Sequence, residues 1–332
     1  MPEKIKVAVV GVGDFGRHHV RVYRSLDEVE LVGVYDTEAA RARAVAQEFE
    51  TRALDSLDAV AREAAAASVA VPTREHARVG LELLRSGLDV LVEKPIASSL
   101  AEADALIETA EREKRILQVG HTERFNPAVV AAAQVVTQPL FFEVHRLGVF
   151  SGRSLDVDVI FDLMIHDLDI LLSFVPAEVE QVHAVGIPIL SSKVDIASVR
   201  LEFANGCVAN LTASRVSTDK VRKLRFFQPH AYVSIDYSRR DALVVSIDKS
   251  APAPAGGLFP AGLGFRRLET KPEEPLHAEL RAFVTAVRTR QPGPVTGPEA
   301  RRALALAERV AAGIAAHARK LPVTVSPGGA ES

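Results

Sequence analysis

Cysteine occurs once in the 332 residues, at Cys207. A single thiol can form neither an intramolecular disulfide nor a cysteine metal cluster, so a reducing compartment is the simplest setting. It lies in the strand-like run Cys207-Val208-Ala209-Asn210-Leu211 and reads as a small core side chain. An excess of one charge is also lacking: 40 Lys and Arg stand against 43 Asp and Glu, a formal net charge of -3. That balance gives no general attraction to nucleic acid or anionic lipid. No apolar run approaches the roughly 18 residues that span a bilayer, and the apolar N-terminal stretch is too short for a signal peptide. There is no internal repeat. What is present is an ordinary globular composition, 48% hydrophobic and 25% charged with 20 Gly and 18 Pro. It excludes disorder, collagen and coiled coil, and the chain reads as a cytoplasmic soluble protein. At about 150 residues per domain the length suggests two domains, each able to bury its own core.

The N-terminal part alternates short apolar runs with amphipathic stretches, the pattern of a parallel sheet covered by helices on both faces. Strands are expected at Ile5–Val10, Glu30–Tyr35, Ser68–Val71, Val90–Val92 and Ile116–Val119, all rich in Val, Ile, Leu and Ala as suits strands buried on both sides. Thr37–Phe49, Glu75–Ser86 and Leu100–Lys114 carry helical spacing. Residues 1–121 therefore read as a doubly wound α/β domain. After Asn126-Pro127 the texture changes to one long apolar helix over Val157–Phe174 and then a series of strands. These are Ser198–Phe203, Val208–Ala213, Lys223–Phe227, Ala231–Tyr237 and Ala242–Ile247, with Asn205-Gly206 a tight-turn signal for an antiparallel hairpin. Strands without intervening helices make residues 122–325 an α+β domain with an open antiparallel sheet. Lys249–Gly264, with three Pro and four Gly, reads as a long surface loop. Two helices follow, Leu276–Arg290 and Pro298–Arg319, able to pack back on the first domain, and 326–332 reads as a loose tail.

Gly11-Val12-Gly13-Asp14-Phe15-Gly16 follows the first strand and opens a helix. Gly11 permits a tight turn, Gly13 lets the backbone approach a pyrophosphate, and Gly16 lets helix and strand pack closely, which places the anion at the helix N-terminus. Asp36 ends the second strand twenty residues beyond Gly16. A carboxylate there accepts hydrogen bonds from a ribose diol and repels a 2'-phosphate, favouring NAD over NADP. Arg41 and Arg43, a turn or more downstream, soften that preference.

Three further segments carry candidate chemistry. Asp158, Asp162, His166 and Asp169 are spaced four, four and three residues apart, one stripe on an otherwise apolar helix. Buried ionisable groups are costly unless paired or facing a wet cleft, so the stripe points to function. Asp162, one turn before His166, can orient the imidazole for general acid/base work. No third ligand accompanies this histidine, which argues against a metal site. Glu93-Lys94-Pro95 stands at the C-terminal end of a strand, where open α/β sheets bind ligands, and Lys94 can polarise a substrate oxygen. Gly120-His121-Thr122-Glu123-Arg124-Phe125-Asn126-Pro127 falls where the domains join, with Arg124 and Asn126 as candidate substrate ligands. The basic run Arg215, Lys220, Arg222, Lys223 and Arg225 reads as a solvated strand face that could also draw an anionic substrate.

With these residues in hand, the chain resembles the glucose-fructose oxidoreductase, inositol dehydrogenase and MocA (Gfo/Idh/MocA) family over nearly its whole length. The matching pieces are Gly11 to Gly16, Val71-Pro72-Thr73 with His76, Glu93-Lys94-Pro95, Gly120 with Arg124-Phe125, and Asp162 with His166. The resemblance implies a Rossmann domain, a C-terminal open-faced sheet through which a homodimer or homotetramer assembles, and a cis Lys94-Pro95 bond. It implies Lys94, Asp162 and His166 as the catalytic set, and a nucleotide held by Gly11, Gly13, Asp14, Phe15, Gly16, Asp36, Pro72, Thr73, His76, Glu93 and Lys94. Arg124, Asn126, Asp169 and Arg215 are the expected substrate ligands, and no metal is expected. The family's Gly-rich lead-in to the Asp and His is replaced here by Val157 to Phe161. Three segments, Gly120 to Pro127, Asp162 to Asp169 and Arg225 to Tyr232, look like family members of lipid A and sugar-nucleotide biosynthesis, which implies a UDP-sugar as substrate. The expected reaction is oxidation of a secondary sugar hydroxyl. His166 takes the proton, Lys94 holds the oxygen, and the hydride passes to the nicotinamide. Rival readings are a dehydrogenase of a free sugar or inositol, a cofactor-sensing regulator, and an NAD-assisted glycosidase or isomerase.

Overall fold

In the computed structural model residues 3–150, 157–247 and 263–320 are described. The chain divides into two units, Met1–Phe125 with Glu273–Leu304 and Asn126–Pro272 with Ala305–Ser332.

The first unit is laid down by short strands of β-branched and small residues, each returned by a helix. In chain order these are β1 Ile5–Val10, α1 Asp14–Ser25, β2 Val29–Tyr35, α2 Ala39–Glu48, α3 Leu57–Glu63, β3 Ala66–Val69, α4 His76–Arg85, β4 Asp89–Glu93, α5 Leu100–Arg112 and β5 Leu117–Gly120. All pairings are parallel, in the order β2-β1-β3-β4-β5. β3 and β4 are buried along their full length, as strands covered on both faces must be. Two details differ from the sequence reading. β3 lies two residues earlier, because its last partner is Val10 and the β1 chain then turns at Gly11. α3, too short to show helical periodicity, is started by the Ser56 side chain, which accepts from the Ala59 N–H at 3.1 Å.

The second unit opens with α6 Pro127–Ala133, whose N-cap Asn126 accepts from the Ala128 N–H at 3.1 Å. Then come β6 Phe141–Leu147, a π turn Ile160–Met164 leading into α7 Ile165–Phe174, β7 Val179–Ile187, β8 Ile196–Phe203, β9 Val208–Ser214, β10 Val221–Gln228, β11 Ala231–Asp236, β12 Asp241–Ile247 and β13 Leu263–Arg267. The eight strands lie in the order β13-β12-β11-β10-β6-β9-β8-β7. The expected antiparallel sheet is in fact mixed. β6 inserts between β10 and β9 and runs parallel to β9, while the other neighbours are antiparallel. The β8–β9 hairpin turns at Asn205-Gly206, where Gly206 takes φ +83°. The inner sheet face meets α7: Phe142 and Phe226 pack as tilted rings at 5.5 Å, and Phe174 of α7 meets Phe226 edge-on at 5.9 Å. The helix expected over 157–174 is thus two pieces, a wide turn and a regular helix. Of the expected loop 249–264, residues 249–262 lie outside the described residues, as does the tail 326–332, while Leu263 and Gly264 begin β13.

α8 Pro275–Thr289 and α9 Gly297–Ala318 complete the chain. α8 belongs to the first unit, where Leu280, Phe283 and Val284 join Val20 and Tyr23 of α1 in one core cluster. In the second unit Arg309 of α9 donates to the Val179 carbonyl at 2.8 Å. Among the described residues no helix is long and apolar enough to cross a membrane.

Candidate active site

In the first unit the glycine loop has the shape of an anion cradle. Gly11 sits at φ +82°, where a Cβ would lie 2.7 Å from Val71 Cγ1 and 2.8 Å from the Ala70 carbonyl oxygen. A Cβ on Gly16 would lie 1.8 Å from the Gly11 carbonyl oxygen. Gly13 differs: nothing stands within 4 Å of its Cβ position, and as N-cap of α1 it offers no capping side chain. Open space in front of a helix N-terminus is what a pyrophosphate requires, so these residues fit a dinucleotide. Asp14 and Phe15 follow in the first turn, Phe15 being exposed. Asp36 is buried at the end of β2. Its carboxylate accepts from the Val12 N–H at 2.9 Å and the Glu38 N–H at 2.9 Å, and Arg41 Nη1 approaches at 3.3 Å. It therefore ties the glycine loop to the strand end.

Around the ends of β3 and β4 the remaining candidates form a brace. His76 is buried, with Nδ1 2.8 Å from the Pro95 carbonyl and Nε2 2.9 Å from the Val71 carbonyl. Burial lowers the imidazole's pKa, outweighing the carbonyls and Glu93, which act the other way. Both ring nitrogens face backbone, so His76 fastens the Val71-Pro72-Thr73 segment to the Lys94-Pro95 turn. That turn is cis, as the resemblance implies. Glu93 is buried, its carboxylate 3.1 Å from His19 Nε2 and accepting from the Lys94 N–H at 3.2 Å. Gly120 makes this possible, since a Cβ there would lie 2.4 Å from Glu93 Oε1. Lys94, the next residue, is half-buried at the strand end. Arg124 donates to the Pro294 carbonyl, in the segment before α9, at 3.2 Å and to Glu299, in the first turn of α9, at 3.3 Å.

In the second unit the polar stripe divides. Asp158 accepts from the Val194 N–H at 2.7 Å and so holds the helix entrance. Asp162 lies in the π turn and His166 in the first turn of α7, both half-buried. Asp169 is buried at 2% exposure. Asn126, besides capping α6, donates to the Tyr237 carbonyl at 3.1 Å. Arg215 is buried, 3.6 Å from Asp195, and donates to the Val157 carbonyl. Asn126 and Arg215 are thus each tied to backbone within the second unit. Sequence reasoning overlooked His19, Arg146, Asp167 and Asp195. Arg146 and Asp167 form a two-pronged buried pair at 2.6 and 2.9 Å. The available signal was a charged residue on the inward side of β6 and another on the apolar side of α7.

Residues 5–121 match the model of the oxidoreductase family with NAD-binding Rossmann fold, and residues 146–231 match the GFO/IDH/MocA C-terminal domain. The chain belongs to the Gfo/Idh/MocA family. The UDP-N-acetylglucosamine 3-dehydrogenase of Acidithiobacillus ferrooxidans is 36% identical over 309 residues, covering 92% of this chain and 96% of that protein. A solved structure of that dehydrogenase superposes with a TM-score of 0.86 at 35% identity, covering 94% of this chain and 98% of the other. An inositol 2-dehydrogenase of Rubrobacter xylanophilus is 30% identical over 229 residues, 65% of this chain and 66% of that one. As a Gfo/Idh/MocA protein the chain is an NAD-dependent oxidoreductase, and its β1–β5 unit is the NAD-binding Rossmann fold expected from the glycine motif.

Proposed function

We propose that this oxidoreductase oxidises a secondary hydroxyl of a nucleotide sugar, with a UDP-sugar as the substrate class. The observation that carries the reading is the 36% identity to a UDP-N-acetylglucosamine 3-dehydrogenase over 92% of the chain. The presence of Lys94, Asp162 and His166 in one sequence supports it. When bound, NAD supplies the two-electron acceptor for the carbinol hydride. The chain's own groups handle the oxygen and the proton. Lys94, half-buried at the strand end, holds and polarises the hydroxyl oxygen. His166 Nε2 or Nδ1 takes the hydroxyl proton as the carbonyl forms, and Asp162 orients the ring. Asp36 and the glycine loop hold the adenosine ribose and the pyrophosphate.

The test is a panel of UDP-sugars and free sugars assayed by NADH appearance. His166→Ala and Lys94→Ala should each lose at least about 100-fold in turnover while still binding NADH by fluorescence titration. Near wild-type turnover in either variant removes that residue from the mechanism. Turnover confined to uncharged polyols indicates a free-sugar or inositol dehydrogenase, and NADH binding without turnover on any sugar indicates a sensor.

We also infer that a second copy of the chain covers the outer face of the eight-stranded sheet, giving a homodimer or homotetramer. What supports this is an apolar ladder across neighbouring strands. Phe141 faces Phe227 at 5.7 Å, Phe227 faces Tyr232 at 5.0 Å, and the register continues through Val245 to Phe265.

A further inference from the structure

We infer that Arg146 and Asp167 are positioning residues that hold the π turn in register and thereby aim Asp162 and His166. The inference rests on the proposed function only for the identity of the acid/base pair. Its geometry lies wholly within the second unit.

Asp167 directly follows His166, and the two face different surroundings: His166 is half-buried, while Asp167 is 1% exposed. Successive residues of a helix diverge by about 100°, so fixing the direction of one fixes the other. Arg146, on the inner face of β6, supplies the fixing. Its Nε donates to Asp167 Oδ2 at 2.6 Å and its Nη2 to Oδ1 at 2.9 Å, with side-chain exposures of 4% and 2%. Two parallel bonds from a planar fork admit one orientation where a single bond admits many. The guanidinium is held in turn, lying 4.9 Å over the ring of Tyr237. Tyr237 is itself buried, its N–H donating to the Arg222 carbonyl at 3.0 Å and its carbonyl accepting from Asn126 at 3.1 Å.

A second anchor holds the other end. Asp158 accepts from the Val194 N–H at 2.7 Å, and the Val159 N–H donates to the Val194 carbonyl at 3.1 Å. Between the anchors at 158–159 and 167 the chain makes one π turn, in which the Ile165 N–H reaches back to the Ile160 carbonyl. Such a turn contains one residue more than an α-helical turn. It cannot relax to regular helix without sliding one anchor off its partner by a residue, which would swing Asp162 and His166 apart by about 100°. A buried ion pair is a poor source of stability but a good source of unique geometry, and its place beside the acid/base residues matches that use.

The test exploits this distinction. The paired variant Arg146→Met/Asp167→Leu removes both charges of this buried pair together, so the melting temperature should stay close to that of wild type. NADH affinity should be unchanged, because the glycine loop and Asp36 belong to the other unit. Turnover per NADH-binding site should fall about 10- to 100-fold, the effect of misplacing reacting groups by about an ångström. Wild-type turnover in the folded pair overturns the inference. If the pair does not fold, Arg146→Lys keeps the charge but loses the fork. It should lower kcat and displace the pH profile of kcat/KM, and an unchanged kcat with an unmoved profile overturns the inference equally. Wild-type enzyme that turns over no UDP-sugar would instead overturn the proposed function, which keeps the two failures separable.

Discussion

Gly13 and Gly16 stand three residues apart in the same loop, yet they meet different constraints. Gly16 faces the Gly11 carbonyl, so Gly16→Ala must push backbone aside and should destabilise the first unit by more than about 2 kcal/mol. Gly13 has φ -65° and ψ -164°, a conformation open to any residue, with empty space at its Cβ. Gly13→Ala should therefore melt like wild type but bind NADH at least about tenfold more weakly, a loss of roughly 1.4 kcal/mol. A thermal melt and a fluorescence titration on each variant check the pair, and wild-type NADH affinity in Gly13→Ala would show that the pyrophosphate lies elsewhere. The glycine loop and Asp36 were legible in the sequence because their geometry is local: strand, turn, helix and acid follow one another in order. Glu93 with His19, 74 positions away, was not, because only the folded sheet makes them neighbours. Arg215 shows the converse: the basic run reads as a solvated strand face, but this member of it is buried beside Asp195.

At the scale of elements, the connection from β7 to β8 is organised by one carboxylate. Asp195 is fully buried and accepts from the N–H groups of Ile189, Leu190 and Ser191 at 2.7, 2.6 and 2.9 Å and from the Ser191 hydroxyl at 2.6 Å. Burial alone would raise its pKa, but the four donors together outweigh it and hold the carboxyl below its ordinary value. A depressed folded-state pKa means that the stabilisation is complete above the unfolded value near 3.9 and is lost as pH falls through the folded value. Asp195→Asn should cost about 1.5–3 kcal/mol in urea unfolding at neutral pH. The gap between variant and wild type should narrow below about pH 4. A gap independent of pH would mean that charge plays no part in ordering the loop. The helices and most strands were readable from period and turn residues. The π turn was not, because the spacing of Asp158, Asp162 and His166 is the same in sequence whether the turn holds a residue more or less. Its width is set from outside, by Val194 at one end and Arg146 near the other. The parallel β6–β9 pairing was equally hidden, since alternation in Phe141–Leu147 gives an inner face but no neighbour.

At the scale of the whole molecule, the two faces of the eight-stranded sheet pose different problems. The inner face is closed by α7, with Phe174 against Phe226. The outer face carries the Phe141, Phe227, Tyr232, Val245 and Phe265 ladder, and Phe227 and Phe265 remain 37% and 50% exposed. Contiguous apolar side chains at that exposure mark an interaction surface more often than a bare monomer surface. The chemistry of the ladder suits a second copy, because an apolar strip with aromatic rings is self-complementary across a two-fold axis. Phe227→Asp/Phe265→Asp places two charges on this strip without entering the core, so the monomer should fold and bind NADH as before. Light scattering should show wild type at twice or four times the chain mass of 35.8 kDa and the variant at a smaller multiple. A wild type that is monomeric at micromolar concentration, or a variant of unchanged mass, would assign the ladder to another purpose. The mass alone would not say which face is used, but the pairing of substitution and mass does.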